Sequence, residues 1–573
     1  MDKSKITKSL AVFASVLLII IIGVASFAYF GTFNVNLVNN VAVNINSSSP
    51  GNATFISNAT QLNLQVPAAN MSFTAANNTV AAKEDTAFLD VTLTGSQNLL
   101  TTCTYDIVYE YDAGSNVYGQ GTTTKTGDAT KEITIEVNGM NGNNHFATET
   151  NFDHANIQSY YDSTNKYYKL VEGATIKSLG STQSVRWKII GRYYNLNVSQ
   201  AQLGGKNFTG KIYAISKGCS SEDGSSVKKG YETILANNGG AASMTTLTST
   251  DFAKVTTASD KGMHKAPDDL GMSYYFRGAV DNNWVKYGKY TKDTYYTYDG
   301  DYNYSLVSSC DGLDNCFKIA SKGDDMYWRI IRINGDNSIR MIYAGTYAPD
   351  ANTKVTLTES GNFDDDGNLI GGQKTAVGNS KFNQNYDSAE YVGYMYTVGE
   401  QHGTSQSSDI KTYLDNWYTK YFNENISTSR FVKSTFCNDR NTSSTWASNG
   451  SNFEYAPLTR LVADTPTPTF ECNNADVVTN NLGLITADEI VLAGGKADTD
   501  NSAFYLNNNM AYWAGSPRSF VYSTSSVFEL YPIGGLTYGF VYARGHAARG
   551  VVSLSSESKL LGSGTYNDVY TVN

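Results

Sequence analysis

Residues 10–33 read LAVFASVLLIIIIGVASFAYFGTF and carry no charge. A helix of that length, rising ~1.5 Å per residue, can cross a ~30 Å hydrocarbon core with some tilt. Lys3, Lys5 and Lys8 precede it against a single acid, Asp2. The positive-inside bias predicts residues 1–8 as a cytoplasmic tail, residues 9–33 as a single transmembrane anchor and the bulk of the chain as extracellular. A cleaved signal peptide is the competing reading, because Val24-Ala-Ser-Phe-Ala28 offers small residues near the end of the run. The run is longer than a usual h-region of ~7–15 residues and continues through that site, which favours a retained anchor in the cell membrane.

Either way, most of the 573 residues work outside the membrane, and the length suggests three or four domain-sized units. With 41 Tyr and 50 Gly against 9 Pro, and only 17% charged residues, the composition favours strands and turns over helical bundles. A net charge of −10 argues against nucleic acid as a partner and against adsorption onto anionic lipid. The membrane is engaged by the anchor alone.

The cysteines are Cys103, Cys219, Cys310, Cys316, Cys437 and Cys472. An even number in an oxidising compartment predicts disulfides, although six cysteines allow fifteen pairings. Proximity and the domain division given below suggest Cys103–Cys219, Cys310–Cys316 and Cys437–Cys472. Buried free thiols are the alternative.

From residue 34 to 82 the chain is still uncharged, and Leu62-Asn-Leu-Gln-Val66 alternates with period two. Ala87-Phe-Leu-Asp-Val-Thr-Leu93, Cys103-Thr-Tyr-Asp-Ile-Val-Tyr-Glu-Tyr111, Lys131-Glu-Ile-Thr-Ile-Glu-Val137, Ser184-Val-Arg-Trp-Lys-Ile-Ile190 and Gly210-Lys-Ile-Tyr-Ala-Ile-Ser216 read as further short strands. Such repetition predicts an all-β sandwich with Trp187 in its core. Residues 141–168 read as a polar, Tyr-rich loop. His145 and His154 within it lack a carboxylate partner pattern and read as loop residues rather than ligands.

Thr102-Cys-Thr-Tyr-Asp-Ile107, Trp187, Arg192-Tyr-Tyr-Asn-Leu-Asn197, Gln200 and Gly205-Lys-Asn-Phe-Thr-Gly-Lys-Ile212, ending at Cys219, together resemble an uncharacterised bacterial surface module that follows a lysine-flanked anchor. The resemblance covers roughly residues 34–220. It implies a β-sandwich spacer and supports the Cys103–Cys219 bond.

Residues 221–270 read as a connector. Val227, Tyr231, Ile234 and Leu235 have helical spacing, Ser226 can cap the start and Gly239-Gly240 stops the helix. The rest is expected to be a mobile strap.

A third unit is expected over residues 271–573. Met326-Tyr-Trp-Arg-Ile-Ile-Arg-Ile-Asn-Gly-Asp-Asn-Ser-Ile-Arg-Met-Ile-Tyr343 reads as a hairpin turning at Asn334-Gly335. Apolar residues on both of its faces make it central. Ile410, Tyr413, Leu414, Trp417, Tyr418 and Tyr421 form one apolar helical stripe, expected to be core. Thr486-Ala-Asp-Glu489 is a capping box, with Ile485 and Ile490 placed as a hydrophobic staple and Gly494-Gly495 as the stop. Strands are expected at 519–528, 538–542, 550–554 and 568–572.

Trp328-Arg-Ile-Ile-Arg-Ile-Asn-Gly-Asp, Tyr391-Val-Gly-Tyr-Met-Tyr396, Phe436-Cys-Asn-Asp-Arg440, Gly483-Leu-Ile-Thr-Ala-Asp-Glu489, Tyr512-Trp-Ala-Gly-Ser-Pro517 and Arg549-Gly-Val-Val-Ser-Leu554 occur in that order. As a set they resemble bacterial extracellular domains of C-type-lectin-like fold, related in architecture to formylglycine-generating enzymes and to the variable proteins of diversity-generating retroelements. The resemblance implies a distal α+β domain with an exposed late region that binds ligands. Where such domains often read Gly-Val-Arg-Pro-Val, this chain has Gly550-Val-Val-Ser-Leu, so that arginine's bracing of the terminal loop is not carried over.

Formylglycine-type chemistry needs a reactive cysteine pair near the C-terminal pocket, and no cysteine follows Cys472. No GxSxG or HExxH element occurs, and His402 and His546 show no partner in the sequence. No catalytic residue is therefore assigned. Asp364, Asp366 and Asn368 present alternate oxygens that suit Ca²⁺ but lack the downstream glutamate of an EF-hand loop; a solvated turn is the preferred reading, with no other cofactor expected. The ligand-binding expectation rests on Trp513, Arg518, Tyr522, Tyr531, Tyr538, Tyr542, Arg544 and His546, because aromatic and arginine side chains dominate binding hot spots. Phe528 belongs to the same stretch. Tyr538, Phe540 and Tyr542 alternate, which predicts one buried strand face.

The sequence thus predicts an anchored, adhesin-like surface protein that recognises a glycan or a protein. A structural envelope protein is the alternative, and an enzyme on a formylglycine-generating-enzyme-like fold the next.

Overall fold

A computed structural model describes residues 43–46, 52–65, 83–95, 99–111, 133–138, 142–146, 150–151, 159–180, 182–194, 207–224, 227–350, 374–422, 430–442, 444–450, 452–472 and 476–573. The anchor, Asp364, Asp366, Asn368, His154 and Ser226 lie outside these residues. Among the described residues no helix is long and apolar enough to cross a membrane. The structure is mostly β. Its buried apolar side chains form two large clusters, one drawn from Phe55 to Ala214 and one from Ile234 to Val572.

Two six-stranded sheets enclose the first cluster as a β-sandwich. One runs in the order Val43–Asn46, Asn52–Ser57, Lys83–Thr94, Thr182–Tyr193, Ile133–Asn138, Thr150–Asn151. The other runs Thr60–Gln65, Asn207–Asp223, Leu99–Tyr111, Tyr167–Leu179, Asn143–Asn144, with Tyr161–Asp162 beside Tyr167–Leu179. The period-two pattern does what it should: Ala87, Leu89, Val91 and Leu93 are all buried. Trp187 is fully buried, and its indole N–H donates to the Tyr105 hydroxyl at 3.0 Å, so the polar edge of each ring is satisfied inside the core. His145 stacks on Tyr160 at 4.1 Å and lies 3.8 Å from Glu172, so it does have an acidic neighbour.

All three disulfides take the expected pairing. Cys103 and Cys219 face each other across adjacent strands of the second sheet.

The connector is packed rather than loose. Its helix is Gly230–Asn237, with Lys229 at the N-cap, so it begins later than Val227 suggested. Gly240 N–H closes it on Leu235 O at 2.8 Å. Ile234, Met244 and Phe252 are buried in the second cluster.

Within that cluster the strand Asp325–Ile333 is buried at all nine positions. Ile339–Gly345 pairs with it on one side, Trp284–Lys289 and Gly271–Gly278 on the other. Tyr570–Val572 runs parallel to Trp284–Lys289, and Val551–Leu554 flanks Ile339–Gly345. The hairpin forms, but not as a tight Asn-Gly turn. Residues 334–338 make the loop, positive φ falls on Asn337 (67°), and Asn334 side-chain N–H donates to Ser338 Oγ at 2.8 Å.

The helix Asp409–Trp417 is capped by Ser408 and buries Ile410, Tyr413, Leu414 and Trp417. Its last turn widens into a π-turn over Tyr418–Phe422, which keeps Tyr418 and Tyr421 buried as well. Trp417 donates to the Tyr290 hydroxyl (3.1 Å), which pairs with the Tyr343 hydroxyl (2.9 Å), so the helix is tied to the central sheet by a satisfied polar chain. The second helix, Ala487–Ala493, shows the expected capping box, and Gly494 ends it at φ 126°. Arg549 directly precedes the Gly550-Val-Val-Ser-Leu stretch. It is buried, donates to Tyr343 O at 2.9 Å and lies over the Tyr512 ring.

Polar contacts join the sandwich to the second unit. Arg186 pairs with Asp90 (2.9 Å) and donates to Lys322 O (3.2 Å), and Lys286 donates to Ser184 O (3.0 Å).

Candidate ligand-binding surface

A five-stranded sheet carries the late aromatic stretch, in the order Phe453–Glu454, Tyr512–Val521, Thr524–Leu530, Gly535–Phe540, Lys496–Ala497. The expected strand over 519–528 is interrupted. Val521 pairs with Thr524, and Tyr522 and Ser523 form a two-residue turn with φ 51° and 55°. Positive φ at both positions is the I′ geometry that suits a right-twisted hairpin. No Asn or Gly marks it, which is why the sequence reads as continuous.

The strand Gly535–Phe540 alternates, but its aromatic face is the open one. Tyr538 and Phe540 point outward, while Gly539 between them faces inward. A Cβ at Gly539 would stand 2.7 Å from a Trp513 ring carbon and 2.8 Å from Glu529 Oε2. Glycine is therefore what lets Trp513 and Glu529 pack directly beneath the strand. Trp513 donates its indole N–H to Ser380 O at 2.7 Å, and its ring lies 4.3 Å from that of His546. His546 Nε2 meets Glu529 Oε2 at 2.5 Å.

Above this layer four rings form a continuous row. Tyr538 and Phe540 are 6.0 Å apart, Phe540 and Tyr542 5.9 Å, and Tyr542 and Tyr386 4.6 Å. Each is between 39% and 44% exposed, although all lie in contact, so the row is a built surface rather than scattered side chains. Tyr386 is positioned by its carbonyl, which accepts from Ser525 N–H at 2.8 Å. Arg518 lies over the Tyr538 ring at 3.9 Å. Two residues beyond Tyr542, the exposed Arg544 lies over Tyr302 at 4.4 Å, and Tyr302 stacks on Tyr298 at 5.1 Å. Gly545 N–H donates to the Tyr304 hydroxyl at 3.1 Å, and burial raises that hydroxyl's pKa above its ordinary value.

Of the expected binding residues, Tyr538, Tyr542, Arg518 and Arg544 belong to this surface. Trp513 is fully buried and His546 largely so; both lie beneath the row. Phe528 is core. Tyr522 and Tyr531 are exposed on turns outside the run of ring contacts, with Tyr522 the most open at 87%. Sequence reading missed Tyr386 and Tyr302, and left Phe540 out of the binding set. The only signal for the first two is a tyrosine set among turn-forming residues, in Asn383-Gln-Asn-Tyr-Asp387 and Asp299-Gly-Asp-Tyr-Asn303.

Both histidines that looked isolated have carboxylates. His402 Nδ1 lies 2.9 Å from Asp476, which also faces the buried Arg440 at 3.4 Å. These partners are distant in sequence, so no spacing could show them. Among the described residues no group of three His, Cys, Asp or Glu is arranged to hold a metal.

A second polar concavity lies beside the Cys437–Cys472 bond. Its arginines are already engaged. Arg332 meets Asp268 (2.9 Å) and Glu489 (3.2 Å), Arg340 meets Glu489 (2.6 Å), and Arg460 meets Asp488 (2.6 Å) and Asp439. Its volume is about 30 Å³, room for a water or two and not for a sugar or a peptide side chain. It is an internal ion-pair lattice.

No protein-family model, curated protein or solved structure matches the chain.

Proposed function

We propose that this chain is a single-pass bacterial surface protein whose β-sandwich acts as a membrane-proximal spacer and whose second unit is a C-type-lectin-like domain that binds an extracellular ligand. The binding reading is carried by one observation, the contiguous exposed row Tyr386, Tyr542, Phe540 and Tyr538. Contiguous apolar surface on a monomer is costly to leave open and marks interaction sites. The lectin-like reading draws support from the ordered motifs and from closure of the unit, in which Tyr570–Val572 lies beside Trp284–Lys289. The anchor reading rests on residues 10–33. Binding is preferred to formylglycine-type chemistry because Cys437 and Cys472 are bonded to each other.

The test is binding of the full chain to panels of glycans and cell-surface proteins, repeated with Phe540→Ala and Tyr542→Ala. A ligand lost in both variants supports this surface. A ligand held equally well by both overturns it.

A further inference from the structure

Arg518 and Arg544 differ from nine of the ten other arginines among the described residues, Arg430 being the remaining one without an ion pair. Arg186, Arg192, Arg332, Arg340, Arg440 and Arg460 each face a carboxylate. Arg277, Arg329 and Arg549 are buried on backbone carbonyls. Arg518 and Arg544 rest on tyrosine faces, and among the described residues neither forms an ion pair. In a chain of net charge −10, one such guanidinium on Tyr538, the end ring of the row, and a second two residues along the chain from Tyr542 are a specific arrangement. A guanidinium on a ring face is held in orientation while its N–H groups stay available, and its fork matches a planar or tetrahedral oxyanion.

The size of the row separates a glycan from a protein. Four aromatic side chains about two-fifths exposed present roughly 250–400 Å², taking ~150–250 Å² as the full area of each. A stable protein interface needs about 800 Å² per partner. The row suits a few stacked sugar rings, whose apolar C–H faces pack on aromatic faces.

Resting on the binding surface proposed above, we infer that the ligand is an anionic saccharide. Its sugar rings lie along Tyr386, Tyr542, Phe540 and Tyr538, and its carboxylate or sulfate groups meet Arg518 and Arg544.

The experiment measures binding of the full chain to a hexuronate oligosaccharide, the same compound after methyl esterification, a sulfated oligosaccharide and a neutral β-glucan oligosaccharide. The expected result is binding of a charged probe that weakens with added salt. The affinity should fall about tenfold or more on Arg518→Gln or Arg544→Gln, with partial recovery in the corresponding Lys variants. Loss on esterification assigns the uronate carboxylate as the recognised group, and binding of the sulfated probe alone assigns sulfate; both outcomes support the inference. Equal binding of neutral and charged probes, unaffected by the arginine variants but abolished by Tyr542→Ala, overturns the anionic class and leaves the row as the binding surface. Binding of no saccharide, or binding that Tyr542→Ala and Phe540→Ala leave unchanged, overturns the inference, and in the second case the surface assignment with it.

Discussion

His546 Nε2 and Glu529 Oε2 lie 2.5 Å apart under the strand that carries Tyr538 and Phe540, beside Gly539, where that strand has no side chain to turn inward. The exposed row is therefore shaped from below. Gly539→Ala is expected to lower stability by roughly 1–3 kcal/mol, because the new methyl must displace Trp513 or Glu529. Urea unfolding of the variant checks it; an unchanged midpoint would show that the layers are not in contact.

The two layers should respond unequally to truncation. Trp513→Ala removes a fully buried indole and is expected to cost about 3–5 kcal/mol. Phe540→Ala or Tyr542→Ala removes a ring already partly in water and should cost under about 1 kcal/mol. Thermal unfolding separates these, and it also certifies the exposed-ring variants as folded for the binding assays.

Acid should act through Glu489. Burial alone would raise its pKa, but Arg340, Arg332 and the Thr486 amide outweigh that and hold it below the ordinary 4.5. Asp268 is shifted the same way, with burial opposed by Ser273, the Gly335 amide and Arg332. A carboxyl depressed in the folded state contributes stability above its unfolded pKa and loses it as pH falls through the folded value. Urea midpoints should be level from pH 7 to about 5 and decline below that. Glu489→Gln should flatten the acid limb while costing about 3–5 kcal/mol at pH 7, since it strands the buried Arg340 guanidinium and leaves Arg332 with Asp268 alone.

Disulfide removal should rank by loop length. In the chain-entropy account, the 116-residue separation of Cys103–Cys219 is worth about 5 kcal/mol, the 35-residue separation of Cys437–Cys472 about 4, and the 6-residue separation of Cys310–Cys316 about 2. Paired Cys→Ser variants, compared by denaturant unfolding, test the order. Unreduced peptide mapping tests the pairing itself.

The Tyr522–Ser523 turn holds two L-residues at positive φ, where Asn-Gly is better suited. Tyr522→Asn combined with Ser523→Gly should raise stability by about 0.5–1 kcal/mol. If the same change weakens ligand binding, the tyrosine at 87% exposure is held there at a cost in stability and for contact.

Features carried by local chemistry were legible in the sequence. The stripe Ile410, Tyr413, Leu414 and Trp417, the Thr486 capping box and Trp187 as a core residue follow from spacing and side-chain type alone. What escaped depended on partners far along the chain or on backbone angles without a residue signature. His402 and Asp476 are 74 residues apart, the Tyr522–Ser523 turn has no glycine, and the Asn334-Gly335 pair shares its turn with Asn337. Alternation placed Tyr538 and Phe540 on one face correctly but could not say which face met solvent. Gly539, the small residue between them, was the available clue.

The aromatic row is gathered from separated parts of the chain, Tyr386 from one loop and Tyr538 to Tyr542 from the late strand and its following turn, with the Tyr302 loop reached through Arg544. No linear peptide contains it. A peptide spanning Tyr538 to Tyr542 holds three of the four rings, so only an antibody that also requires Tyr386 needs the folded chain.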